Sequence, residues 1–197
     1  MDYVSLLVEL IKENEGIISS KMVTEAGIPR VYISKFVDSG VIKRLERGIY
    51  ASKTEPDDEI FCFQMRFRQC VISHEYALYI HHYIKNKPKQ IIATVKTGTN
   101  TKTLLKSGIR VHTICQELYS LGIVETENEN GRIIYVYDIE RSICDILRNR
   151  SKVESDIIIS TLKKYLNSSE MDLEKLFCFA KRMKVEKVLN QYIKILQ

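Results

Sequence analysis

The stretch Ser19–Ala51, SSKMVTEAGIPRVYISKFVDSGVIKRLERGIYA, constrains this chain more than any other. Three breaks punctuate it: Gly27-Ile28-Pro29, Gly40 and Gly48. Ser19 or Ser20 can N-cap a helix over Lys21–Ala26, which buries Met22, Val23 and Ala26. Gly27 stands where a helix end needs positive φ, and Pro29 suits the first turn of the next helix, where a missing N–H costs nothing. That next helix, about Pro29 to Ser39, sets Ile33, Phe36 and Val37 on one side and leaves Arg30, Tyr32, Ser34 and Lys35 for the other. After Gly40, the runs Val41–Leu45 and Ile49–Ala51 make two strands around Glu46-Arg47-Gly48.

Upstream, Val4, Leu7, Val8 and Ile11 recur at helical spacing between Tyr3 and Asn14, and Gly16 ends that helix. Ile17-Ile18 then makes a short strand or an extended connector. Helix, connector, two helices about a tight turn and a hairpin form the order of a winged helix-turn-helix, placed at residues 1–53. From Arg30 to Lys53 the cations are Arg30, Lys35, Lys43, Arg44, Arg47 and Lys53, against only Asp38 and Glu46. The segment before Arg30 is acidic by comparison. Charge gathered on one helix and its hairpin is the electrostatic footprint of a DNA reader, with Lys43, Arg44 and Arg47 reaching for phosphates. A solvated helix face, or a winged helix used for protein contact, is the plainer alternative.

The whole chain of 197 residues carries a net charge of +5 and a pI near 8.8, which suits a polyanion partner. Cys62, Cys70, Cys115, Cys144 and Cys178 form no CxxC pair, so they read as small buried hydrophobes of a reduced protein. Asp2 precedes the first apolar run and no basic leader is visible, nor any apolar stretch of about 20 residues, so a soluble, cytoplasmic protein is expected.

The acidic, proline-containing segment 54–59 marks a linker whose charge is expected to point away from DNA. Beyond it, residues 60–197 alternate helices and strands. Helices are expected over Ile60–Arg68, His74 to about Ile84 with Ser73 as its cap, and Thr101–Lys106. Strands are expected at Val71-Ile72, Ile91–Val95 and Arg110–Ile114, with a hairpin of Ile123–Glu127 and Ile133–Tyr137 across Asn128–Gly131. Ile139–Arg148, Glu154–Leu166 and the stretch from Leu173, broken near Met183, close the chain as helices. The fold class is therefore α+β: the N-terminal winged helix-turn-helix, then a mixed α/β domain with a helical C-terminal end.

Chemistry is harder to find in that second part. His74 and His81, seven apart, can share a helix face, but HExxH spacing is absent and further zinc ligands are missing. Arg141 and Asp145 have the spacing of an intrahelical ion pair, worth about 0.2–0.5 kcal/mol when exposed. Thr97–Lys102 lacks the spacing of a phosphate loop and is a polar loop. No catalytic residue, metal ligand or cofactor site is assigned.

The segments SGVIKRLERGIYA, VISHEYALYIHH and YDIERSICDILR, at this spacing, resemble the AbiE-type (AbiEi) antitoxins of bacterial abortive-infection, type IV toxin–antitoxin systems. The resemblance implies two functions. One is autorepression, with the winged helix on inverted repeats in the promoter of its own operon. The other is relief of a cognate nucleotidyltransferase-like toxin, without a necessary stable complex. It makes Lys21, Arg30, Tyr32, Ser34, Lys35, Lys43, Arg44 and Arg47 the DNA-contact candidates. The alternatives are a DNA-targeted nuclease or phosphotransferase using Asp138, Glu140 and Asp145 or the histidines, and a stand-alone transcription regulator.

Overall fold

A computed structural model describes residues 2–196 as an α+β chain in two compact units, the first ending at Arg68 and the second beginning at Gln69. The division falls beyond the acidic segment 54–59, so the helix that follows this segment goes with the first unit.

In the first unit, α1 (Tyr3–Glu13) is followed by β1 (Ile17–Ser19), α2 (Ser20–Glu25), α3 (Val31–Asp38), β2 (Ile42–Glu46), β3 (Ile49–Ser52) and α4 (Glu59–Arg66). Side-chain caps start three of the helices: Asp2 accepts from the Val4 N–H, Ser19 from Met22 and Asp58 from Phe61. Ser20 instead sits inside α2. The strands form one antiparallel sheet in the order β1-β3-β2, with Ile18 opposite Tyr50 and Tyr50 opposite Arg44. Gly48, at φ +80, closes the β2–β3 turn in a conformation that L side chains avoid.

The two faces of this sheet are covered differently. Ile18, Ile42 and Tyr50 join Leu7, Ile11, Val23, Ile28, Ile33 and Phe36 in a core with α1–α3. Ile17, Ile49 and Ala51 pack on the other face with Cys62, Phe61 and Met65 of α4. Of the three α2 residues expected to be buried, only Val23 is fully so, and Met22 is half-buried. Ala26 is exposed, and Ile28, inside the turn, takes the core position instead. Helix α2 ends at Glu25, one residue before Ala26.

The second unit holds a five-stranded mixed sheet, β6-β5-β4-β8-β7. Its elements run β4 (Val71–Ile72), α5 (His74–Ile80), β5 (Ile92–Lys96), α6 (Lys102–Lys106), β6 (Arg110–Ile114), α7 (Gln116–Tyr119), β7 (Ile123–Glu127) and β8 (Ile133–Tyr137). Four helices follow: α8 (Ile139–Arg148), α9 (Ser155–Leu166), α10 (Leu173–Arg182) and α11 (Glu186–Leu196). Pairs β4/β8 and β5/β6 are parallel, whereas β4/β5 and β7/β8 are antiparallel. Helix α8 lies at the centre, buried at every residue from Glu140 to Leu147, and Leu78, Leu162, Leu176 and Leu189 from the helices around it share its core. Two cysteines depart from the buried expectation, since Cys115 and Cys178 are exposed.

Candidate functional site

The surface of the first unit is set by what α3 must bury. Ile33 and Phe36 enter the core, which turns Val31, Ser34, Lys35 and Asp38 outward as one stripe at i, i+3, i+4 and i+7. Of the three candidates on α3, Ser34 and Lys35 are therefore exposed on the surface. Tyr32 is half-buried, its ring 5.3 Å from that of Tyr3 and its face 4.9 Å from the Lys35 ammonium. It braces the stripe rather than standing in it. Arg30 is exposed and donates from Nε to Thr24 Oγ1, tying the turn to α2. Lys21 lies on α2, 3.6 Å from Glu25, with both side chains exposed.

Strand alternation sorts the hairpin cations. Arg44 lies opposite Tyr50, on the α1–α3 face of the sheet, and is exposed. Lys43 lies opposite Ala51, on the α4 face, and its ammonium is 2.9 Å from Asp57. The acidic segment, expected to point away from DNA, thus folds back onto the hairpin and pairs with one of its cations. An irregularity between Arg44 and Glu46 opposite Ile49 places Leu45 and Glu46 together on the α4 side, where Glu46 pairs with Arg66 at 3.2 Å. Arg47 is exposed in the turn itself.

The second unit holds a buried polar cluster of which the sequence shows only fragments. His74 opens α5 at φ +55, a left-handed backbone uncommon for residues other than glycine, though histidine, asparagine and aspartate adopt it more readily than most. Asn149 Nδ2 donates to His74 Nε2 at 2.8 Å and also to the Asp145 carbonyl, so Nε2 carries the lone pair and Nδ1–H faces Ser73 Oγ at 3.0 Å. Thr94 donates to the same Ser73 Oγ at 2.8 Å. Ser73 therefore occupies the cap position without capping, its hydroxyl spent on His74 and Thr94. His112 of β6 stacks on His74 with ring centroids 3.7 Å apart. Burial, reinforced by Arg141, Arg110 and Arg148, pushes His74 down to about 3. Burial and then the His74 neighbour push His112 down to about 4.

His81 does not join His74 at a shared face; its Nε2 meets the Tyr137 carbonyl at 2.9 Å. Among the described residues no group of three or more His, Cys, Asp or Glu is placed to hold a metal ion.

The carboxylates are likewise separated by role. Asp138 caps α8 by accepting from the Arg141 N–H. Lys175 bridges Asp138 and Glu140 at 3.1 and 2.9 Å, and Tyr165 donates to Glu140. Asp145 pairs with Arg141 at 3.2 Å, and the two side chains are 4% and 0% exposed. That pair corrects the reading of an exposed helix contact. Arg141 also donates to the carbonyls of Leu118 and Leu121 and lies 4.1 Å over the Tyr137 ring, so it fastens α7 and its following turn to α8. Only the i,i+4 spacing of this pair is legible in the sequence; Asn149, Thr94 and His112 carry no local signal at all.

Comparison with known proteins bears on the first unit. Residues 5–53 match a family described as transcriptional regulator, AbiEi antitoxin. Over these residues the chain is similar to the AbiEi antitoxins. The match closes with β3 and includes neither α4 nor the SHEYAL and ERSICD segments of the second unit. No curated protein matches the chain. Among solved structures, the crystal structure of the RV2827C protein from Mycobacterium tuberculosis is similar over 92% of this chain and 72% of its own, at 13% identity and a TM-score of 0.60. That likeness is one of fold. No helix among the described residues is long and apolar enough to cross a membrane.

Proposed function

We infer that the first unit is a winged helix-turn-helix that represses its own operon by binding inverted repeats in the promoter. The second unit counters a cognate nucleotidyltransferase-like toxin. The observation that carries the DNA reading is the disposition of α3 and the wing. The exposed Ser34 and Lys35 stripe, Arg44 on the α1–α3 face of the sheet and Arg47 at the wing tip leave cations exposed, without a carboxylate partner among the ion pairs described, where a groove-bound helix needs phosphate contacts. The match to a regulator family over the same residues supports it.

The disposition also ranks the candidates. Ser34 and Lys35 meet the groove, Arg44 and Arg47 the backbone, and Arg30 and Lys21 flank the turn. Tyr32 acts by positioning Lys35. Lys43 contributes little, because Asp57 already neutralises it.

Duplex containing the promoter repeats, titrated at several salt concentrations, tests this. Arg44→Ala and Arg47→Ala should each reduce the slope of log K against log salt by about 0.9, as one phosphate contact is lost. Lys43→Ala should leave the slope unchanged. An equal effect from Lys43→Ala would overturn its ranking below the two arginines, and no effect from any of the three would remove the wing from the interface.

A further inference from the structure

The α3 stripe contains one residue that a purely electrostatic reader has no use for. Val31 is 55% exposed, a large apolar side chain at the first position of the helix. It shares its face with Ser34 and Lys35, while the helix's other apolar residues, Ile33, Phe36 and Val37, pack into or against the core. Burial therefore does not account for Val31. The N-terminal residues of a recognition helix are those that approach base edges. In the major groove the one apolar feature of a base edge is the 5-methyl group of thymine.

We propose that Val31 is a specificity residue whose branched side chain packs against a thymine methyl in the major groove. The inference rests on the DNA-binding reading above and adds to it the kind of base that is read. The stripe then divides its work along the helix. Val31, at the N-terminal end, meets the methyl group. Ser34, one turn on, is placed to hydrogen-bond a base edge or phosphate. Lys35, held over the Tyr32 ring, supplies the cation. Asp38, one further turn away, marks where the helix leaves the polyanion. A valine has no donor or acceptor, so its contribution is burial of methyl against methyl and is insensitive to salt.

The test uses the full chain and lets the protein choose its own operator. Duplexes are selected from a randomised library at fixed salt, and the best is resynthesised with deoxyuridine replacing thymidine one position at a time. That exchange removes only the 5-methyl group. At one or more positions the wild-type protein should lose about fourfold in affinity, the worth of one buried methyl. Val31→Ala, which withdraws both γ-methyls from an exposed site, should bind the thymidine duplex more weakly and respond to the exchange by less than about twofold. A selected duplex that tolerates every exchange overturns the proposal while leaving α3 as a reader. A methyl effect of full size in Val31→Ala overturns the assignment to this residue. If no duplex is enriched and none binds at low salt, the DNA-binding reading falls, and the proposal with it.

Discussion

His74 cannot accept a proton without dismantling its surroundings. Its Nε2 lone pair is used by Asn149, its Nδ1–H faces Ser73, and His112 covers its ring. Its folded pKa is about 3, against about 6.5 in an unfolded chain. The unfolded state therefore binds the extra proton. Stability contributed by this residue is complete above about pH 6.5 and declines as pH falls toward 3, at about 1.4 kcal/mol per pH unit. His112, partly open to solvent, adds a smaller and more screened share in the same direction. Urea unfolding followed from pH 7 to pH 5 should show this slope, and His74→Asn should flatten it. Asparagine tolerates left-handed backbone and does not titrate, so an unchanged slope in that variant would assign the acid sensitivity elsewhere. None of this is legible in the Ser73-His74-Glu75 tripeptide. Its partners come from β5, β6 and the end of α8, and sequence spacing carries no information about such distant contacts. The Arg141–Asp145 pair shows the reverse case. Its i,i+4 spacing announces the contact but not its burial, which changes its meaning: breaking a buried pair costs about 3–5 kcal/mol, roughly tenfold the worth of an exposed one.

At the scale of elements, local signals suffice wherever an element is periodic and punctuated. Asn128–Gly131 between two alternating runs locates β7 and β8, and the run from Ile139 locates α8. The short α7 escapes the sequence, since four residues carry no period. Helix α4 is recognisable as a helix but not by its partners, because a polar, proline-containing segment looks like a linker whether or not the helix after it folds back. Its apolar residues settle the grouping. Cys62, Phe61 and Met65 cover Ile17, Ile49 and Ala51, a sheet face that residues 1–53 alone would leave bare. A fragment of residues 1–68 should fold cooperatively. A fragment of residues 1–53 should bind a hydrophobic dye and melt broadly, since an uncovered apolar sheet face invites association. Matching, sharp transitions for both would show that α4 is dispensable to the first unit.

On the scale of the whole molecule, the chain pairs a surface organised for contact with a unit organised for rigidity. The first unit keeps Lys35, Arg44 and Arg47 outside, on α3 and the β2–β3 hairpin. The second draws Arg141, Asp145, Glu140 and His74 inside and uses them to lock α5, α7 and α8 together. Because the two compact units have separate cores, the repression and toxin relief proposed above should be separable by substitution in the full-length protein. Arg44→Ala with Arg47→Ala should abolish repression of a promoter reporter while still protecting growth when the protein is expressed from an unrelated promoter beside its toxin. Asp145→Leu leaves Arg141 buried and unpaired, so it should lose protection while still shifting promoter DNA. Far-ultraviolet circular dichroism on each variant distinguishes lost contact from lost fold. If the wing variant also fails to protect, neutralisation works through DNA or requires the first unit directly. If the Asp145 variant protects at full strength despite a melted second unit, the antitoxin activity resides in residues before Gln69.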